Sequence, residues 1–509
     1  MSAASGLPFD PTGIQLDRRN GLSRQLYQEL RKRMLDGRLA SGTRLPASRE
    51  MAAALGISRN SVVRAYDQLY AEGFIEGRIG NGTFVAIPEK LSTKVSTELH
   101  TGLSTDLSTK LAIDLGDEVG PVWANSALQR LENNHLTMTR TGEPRAFRVG
   151  IPAFDLFPFD VWSRLQAAFW RKPELGKLGY GEPEGDPRLR ELIAAYLRSS
   201  RGLSCTAEQI VITSGAQQAI GLCAQLLLEP GDGVAVENPG YRAAACAFAN
   251  AGGRLYGVPV DGEGMQCSHL EALPPCRLAY VTPAHQYPTG VTMSLTRRVA
   301  LLAWAQRVQG WIIEDDYDGE YRYNGAPLAP LASLDVQGRV IYVGTFGKVA
   351  FPALRLGYLV LPQTLVEPFS RRRAVDVRSS EVGTQVVMAQ FIAQGHFQRH
   401  IRRMRRAALS RRDALLAHWP QDIAGCEAMP KVDAGLHLKI NVSSRARERQ
   451  LISQAETVAV ELNALTDYWL DTSDEPVDKR AGLVLGFAAV DEAQIALAAK
   501  RLARVWQQG

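Results

Sequence analysis

Six short apolar runs, at 209–213, 233–237, 278–282, 311–315, 340–344 and 357–361, are separated by longer stretches whose apolar residues recur at helical spacing. Each run is too short to make a helix of its own, and strands joined through intervening helices pair in parallel. From residue 147 to about 370 the alternation therefore predicts an α/β domain with a mostly parallel sheet, buried on both faces. Residues 371–509 read as helix-rich with strands near 437–442 and 483–487, a smaller C-terminal α+β lobe.

Sheets of this kind collect ligands at the carboxyl ends of their strands. Two such ends carry chemistry: Ile312-Ile313-Glu314-Asp315-Asp316-Tyr317, then Val343-Gly344-Thr345-Phe346-Gly347-Lys348 with Arg355-Leu356-Gly357 behind it. A carboxylate and a phenol on one strand, a glycine-flanked lysine after the next and an arginine seven residues later are the parts that hold pyridoxal 5'-phosphate (PLP). Lys348 is the candidate Schiff-base residue, Asp315 the partner of the pyridine nitrogen, and Tyr317 the donor to the phenolate oxygen. Phosphate needs backbone amides at a helix start plus a cation. Ser214, Gly215, Ala216 and Gln217 open a helix after a strand, and Thr345 and Arg355 add a hydroxyl and a charge. Tyr241 is placed to stack on the ring. Singly, a strand-end Asp-Asp-Tyr or a Ser-Gly is commonly a cap or a turn. Their shared order and spacing carry the reading.

The first ninety residues are of another kind. Leu22, Leu26, Leu30 and Met34 predict an amphipathic helix over 22–36, ended by Gly37 and Gly42. A second helix starts with Ser48 as N-cap, buries Met51, Ala52 and Leu55 and stops at Gly56. Ser58 caps a third, whose core side is Val62, Tyr66 and Leu69. Residues 74–79 and 83–87 alternate as strands around Gly80-Asn81-Gly82, a turn with glycines where positive φ is needed. Three helices and a β-wing make a winged helix-turn-helix over 20–87, which lays the start of its third helix in the major groove of double-stranded DNA. Arg59 and Asn60 then face base edges, with Arg64 one turn on. Arginine reads guanine and asparagine reads adenine through paired hydrogen bonds. Arg44, Arg49, Gly80, Gly82 and Thr83 are placed for phosphates, with Ser48 and Ser58 at the helix starts. Residues 1–87 hold twelve lysines and arginines against eight acids, most of the chain's net charge of +5, as a polyanion partner requires.

Between the two halves, Leu91-Ser-Thr-Lys, Val95-Ser-Thr-Glu and three further copies form a four-residue repeat. Two readings fit: a flexible tether over 88–145, or a marginal helix with a leucine stripe. A helix over 124–136 is also expected. As a coil, about 25 such residues span roughly 27 Å. The Arg399–Arg412 run and Arg371-Arg372-Arg373 read either as a further DNA contact or as solvated helix faces; His285 and Gln286 either line the pocket or are structural.

The six cysteines form no Cys-x-x-Cys pair, which favours reduced thiols in a cytoplasm, and no His-Glu-x-x-His occurs, so no metal is expected. No apolar run approaches the ~18 residues of a membrane span, and residues 1–11 lack the basic and apolar parts of a signal peptide.

Residues 20–87 resemble the GntR type of bacterial regulator, through Gly42-Thr43-Arg44-Leu45-Pro46-Ala47-Ser48-Arg49, Leu55-Gly56-Ile57-Ser58-Arg59-Asn60-Ser61-Val62, Ala71-Glu72-Gly73 and the Gly-Asn-Gly-Thr wing. Residues 146–509 resemble fold-type I aminotransferases. Together, with Phe157-Pro158, Trp162, His285-Gln286-Tyr287-Pro288-Thr289-Gly290 and Glu314–Glu320, the chain resembles the MocR subfamily of transcription regulators. The resemblance implies a head-to-tail, domain-swapped homodimer in which Tyr180 reaches the phosphate of the partner's cofactor. It also implies a cytoplasmic, PLP-dependent regulator that binds an operator and senses a small amine or amino-acid effector, or PLP itself. The other reading is a working aminotransferase with an appended head. Two departures weigh against more than weak turnover. Tyr287 stands where aminotransferases place an asparagine before Pro-Thr-Gly, and Val484 stands near their carboxylate-binding arginine, with Arg480 out of register.

Overall fold

The computed structural model describes residues 9–18, 21–78, 81–86, 126–134, 136, 141–323, 328–470 and 475–507. Gly80, the end of the first wing strand at 79 and the repeat at 91–110 lie outside these residues. The chain divides into two compact units, 1–119 and 120–509.

In the first unit, α1 (Leu22–Leu35), α2 (Ser48–Leu55) and α3 (Arg59–Ala71) close around Leu26, Leu30, Met34, Met51, Val62, Tyr66 and Leu69. The four-residue apolar rhythm read in the sequence is thus the rhythm of burial. Ser58 caps α3 as expected, its Oγ accepting from the Ser61 amide at 3.1 Å. The cap of α2 is displaced by one residue: Ala47 holds that place, its amide donating to Glu50 Oε2 at 3.0 Å, and Ser48 is the first helical residue. A capping carboxylate three residues in satisfies the backbone there, so a side-chain hydroxyl is not needed. The wing is β2 (Ile75–Arg78) paired with β3 (Gly82–Val85), shorter than its alternation suggested. A two-residue strand, β1 (Arg44–Leu45), pairs with β3 and pins the loop before α2 to the wing.

The second unit is built on an eight-stranded sheet of order β4-β11-β10-β9-β8-β5-β6-β7. Its strands are β4 (Ile210–Thr213), β5 (Gly233–Asn238), β6 (Arg254–Asp261), β7 (Gly264–Met265), β8 (Cys276–Val281), β9 (Trp311–Asp316), β10 (Val340–Thr345) and β11 (Gly357–Val360). From β10 through β9, β8 and β5 to β6 the pairing is parallel; β11 runs antiparallel to both β10 and β4. Successive residues enter different cores: Ile313, Ile341 and Val343 pack on one face, Ile312, Val340 and Tyr342 on the other. Two buried faces explain why the runs lack the polar alternation of a half-exposed strand. β6 was not evident in the sequence because Gly257 and Pro259 interrupt it; a Cβ on Gly257 would stand 2.7 Å from the Asn238 side-chain nitrogen.

The smaller lobe carries the antiparallel sheet β12 (His437–Asn441), β14 (Gly482–Gly486), β13 (Asn463–Ala464), in that order. Leu438, Ile440, Leu483 and Leu485 enter its core, so the period of two puts His437, Lys439 and Val484 on the other face. Residues 146–150 run beside this sheet through the bridge Phe147–Gly486. Arg148 donates to both oxygens of Glu461 at 2.8 and 2.9 Å, which anchors the segment. Within the expected linker, Ser126–Asn133 is helical, and Arg130 donates to the Asn250 carbonyl at 3.2 Å, so this part is packed.

Candidate cofactor site and DNA-reading head

The parallel strands end on one edge of the sheet, and a cavity of about 180 Å³ opens there. Its wall includes Gly215, Ala216, Gln217, Tyr241, Asp315, Tyr317, Thr345, Lys348 and Arg355, brought from residues 140 apart in sequence to one place. Ser214 and Tyr180 are not in this wall.

Strand pleating sorts the three acids of β9. Glu314 accepts the amides of Leu331 and Ala332 at 2.7 and 2.8 Å, anchoring a loop. Asp316 pairs with buried Arg201 and accepts from Tyr342 at 2.7 Å. Asp315, between them, faces the cavity. Its Oδ2 accepts from Tyr280 on the neighbouring strand at 2.7 Å, whereas the buried Oδ1 has no hydrogen-bond partner. Burial is the largest influence on this carboxyl and raises its pKa to about 7, with Asp316 adding to the rise; Tyr280 and Lys348 pull it back.

Lys348 follows β10. Its Nζ donates to the Gly150 carbonyl at 2.7 Å, and burial lowers its pKa against the opposing pull of Asp318 and Asp315. Gly215 precedes the helix Ala216–Leu227 with φ of +89°, a conformation that favours glycine. Arg355 donates to the Ser214 carbonyl at 2.6 Å, and its guanidinium lies 3.4 Å from where a Cβ on Gly215 would be. The Ser214 amide is taken by Gln218 Oε1 at 2.7 Å, which leaves the later amides of the helix start for a ligand. Thr345 Oγ1 accepts from the Gly347 amide at 3.1 Å.

The residues fit PLP on three counts. An unpartnered buried carboxylate oxygen suits a protonated pyridine nitrogen, a helix start with glycine and arginine suits a phosphate, and a buried lysine amine shares the cavity. Tyr317 lines the cavity, and its hydroxyl donates to the His285 carbonyl at 2.9 Å. His285 and Gln286 take the structural option. His285 Nδ1 lies 2.9 Å from Asp318 Oδ2, and Gln286 Nε2 donates to the Pro239 carbonyl at 2.9 Å. Among the described residues, His285, Asp318 and His437 form one buried trio with donor atoms within 4.8 Å of one another. The contact with Asp318 satisfies His285 without an ion.

Sequence reasoning missed Gly150, Tyr280, Thr282 and His437. Tyr280 could have been found, being the polar end of a strand paired in parallel with the acid strand. His437 and Gly150 arrive from the small lobe and the segment beside it, and no local pattern announces them. Of the long basic run, Arg411 pairs with Asp155 at 2.6 Å, Arg405 donates to the Glu320 carbonyl at 2.8 Å, and Arg412 reaches Asp413 at 2.6 Å. Arg402, Arg403 and Arg406 are exposed.

In the head, Arg59, Asn60 and Arg64 are exposed at the start of α3, and Arg59 Nε lies 3.4 Å from Ser48 Oγ, linking α3 to α2. Arg44 and Arg49 are exposed as well. Gly82, at φ +102°, lies under Arg44, whose Nε would meet a Cβ there at 3.1 Å. Thr83 stands opposite Leu45 in the wing.

Comparison with known proteins accounts for both units. Residues 22–85 match the bacterial regulatory proteins of the gntR family, and residues 173–453 match aminotransferase class I and II. The chain is 35% identical to the probable rhizopine catabolism regulatory protein MocR of Rhizobium meliloti, over 92% of this chain and 90% of that protein. It is 29% identical to the HTH-type pyridoxine biosynthesis transcriptional regulator PdxR of Corynebacterium glutamicum, over 95% and 94%. Among solved structures, an archaeal alanine:glyoxylate aminotransferase superposes with a TM-score of 0.66 at 27% identity, covering 75% of this chain and 93% of that one. A head of one family joined to a domain of the other, with full-length likeness to proteins built the same way, places this chain in the MocR-type transcriptional regulators.

Proposed function

We propose that the chain binds double-stranded operator DNA through residues 20–87 and senses a small amine or amino-acid effector, or PLP itself, through PLP held on Lys348. The observation that carries this is the Asp315 carboxylate. One of its oxygens is buried without a donor, in the same cavity as the Lys348 amine. When bound, PLP supplies a carbonyl carbon that condenses with primary amines and a ring that absorbs visible light.

The chain's own residues set the terms of that chemistry. Burial lowers the Lys348 pKa, which enlarges the neutral, nucleophilic fraction of the amine. The Gly150 carbonyl directs Nζ, and Asp315 holds a proton on the pyridine nitrogen. Gly215 allows close backbone approach to the phosphate, with Arg355 beside it. Tyr180 is 80% exposed, with Arg378 5.1 Å over its ring, which suits a reach toward a second copy in a head-to-tail homodimer. In such a dimer the residues from 88 to the packed helix at Ser126 act as the tether. An effector transmits a signal only if it binds two arrangements of the dimer with different affinity. A cytoplasmic location accords with operator binding. Val484 in place of an arginine on β14 favours sensing over efficient transamination.

The test is direct. Wild-type protein mixed with PLP gains a visible band that Lys348→Ala lacks, and amines change both the band and binding to DNA flanking the gene. Sustained turnover of an amino acid with 2-oxoglutarate would assign an enzyme instead. A wild-type protein that stays colourless would end the PLP reading.

A further inference from the structure

The long helix His396–His418 carries a charge pattern that the cofactor site does not use. Residues 396–412 hold seven arginines and no acid. This concentration is local: the chain's +5, less the +4 of residues 1–87, leaves +1 for residues 88–509. Phe397, His400, Ile401, Met404 and Ala408 bury one side of the helix. Arg411, Arg405 and Arg412 are held by Asp155, the Glu320 carbonyl and Asp413. That leaves Arg399, Arg402, Arg403 and Arg406, all exposed. At 3.6 residues per turn these four share a stripe of about 100°, opposite the buried side.

A solvated arginine face is commonly balanced by acids on its own helix. The helix Gln363–Asp376 does this: Arg371 pairs with Glu367 and Arg372 with Asp376, each four residues away. The stripe has the reverse arrangement. Arg399 stands three and four residues before Arg402 and Arg403, and Arg406 stands three and four residues after Arg403 and Arg402. Like charges at these spacings destabilise a helix. Arg399 donates to the Gln394 carbonyl at 3.1 Å, whereas Arg402, Arg403 and Arg406 have no ion pair or hydrogen bond with any described residue. A polyanion relieves that repulsion, and guanidinium groups grip phosphate oxygens through paired hydrogen bonds. About 10 Å of helix separates Arg399 from Arg406, a length over which duplex DNA presents about six phosphates.

We propose that Arg402, Arg403 and Arg406 form a second, sequence-independent contact with the phosphates of double-stranded DNA, on the larger unit and apart from the head. The proposal rests on operator binding by residues 20–87, which supplies the duplex.

Full-length wild type is compared with a variant carrying Arg402→Gln, Arg403→Gln and Arg406→Gln together. Binding is read by anisotropy on a random-sequence duplex of about 60 base pairs, roughly six helical turns. Losing three phosphate contacts should lower the slope of log affinity against log salt by roughly 2 to 3. Between about 50 and 200 mM salt, wild type should then lose affinity roughly 15- to 40-fold more than the variant does. The matching variant with Arg402→Lys, Arg403→Lys and Arg406→Lys keeps the charges and should keep the slope. Without DNA, the glutamine variant should melt no lower than wild type, since only repulsion has been removed. Single substitutions, each worth roughly 0.9 in the slope, carry the same test if the triple variant does not fold. An unaltered slope overturns the proposal; if the variant's oligomeric state changes at the same time, the stripe belongs to contacts with a second copy. Wild type that binds no duplex at all sinks the operator reading and this proposal together, whereas wild type that binds with a slope the variant shares sinks the proposal alone.

Discussion

Asp315→Asn should make the cofactor-free protein more stable at alkaline pH while weakening its hold on PLP. The magnitude follows from the carboxyl's environment. In the unfolded chain Asp315 ionises near its ordinary 3.8; in the folded protein burial raises this to about 7. The sign follows from linkage: between those values the folded state binds the proton and the unfolded state does not, so stability is lost as pH rises from 3.8 through 7. A displacement of that size corresponds to roughly 4 kcal/mol as a ceiling, of which roughly 2 kcal/mol falls between pH 5.5 and 7. Asparagine cannot ionise, and its carbonyl still accepts from Tyr280. Urea unfolding of both cofactor-free proteins from pH 5.5 to 8.5 should show the variant gaining on wild type up to about pH 7, then a constant gap. PLP retention should fall, because an amide stabilises the pyridinium less than a carboxylate does. A gap that does not change with pH, or a wild type that is the more stable at pH 8, would refute the assignment of Asp315 as a carboxylate destabilised by burial.

Arg59→Ala should weaken specific DNA binding by roughly 1–3 kcal/mol, measured by anisotropy at fixed salt, with little change in nonspecific affinity. Arg201→Met leaves Asp316 buried with Tyr342 as its remaining partner; a loss of roughly 3–5 kcal/mol in urea unfolding is expected. Gly215→Ala forces an L-residue to φ of +89° and sets a methyl against Arg355, so PLP should dissociate faster in dialysis while the head still binds DNA.

Much of the fold was written in local pattern. The four-residue rhythm of Leu22, Leu26, Leu30 and Met34, and the unbroken apolar strands of the larger unit, follow from burial on one helix stripe or on two sheet faces. Where burial is partial the pattern fades. β6 escaped notice because a close approach to Asn238 demands Gly257, and β1 because two residues carry no period. The cap of α2 was misplaced by one residue because Ser48 is itself the first helical residue and the Glu50 carboxylate reaches back to accept from the Ala47 amide.

The residue types at 315, 348 and 355, and their place after consecutive strands, were determined by the sequence itself, since backbone position alone carries them to the carboxyl edge of the sheet. Which of three neighbouring acids faces the cavity was decided by strand pleating. That Gly150 would direct the Lys348 amine, Tyr280 hold Asp315, and His437 join the wall depended on tertiary packing. Gly150 and Lys348 lie 198 residues apart and Tyr280 and Asp315 lie 35 apart, and a contact made across the fold leaves no period in the chain for either partner to display.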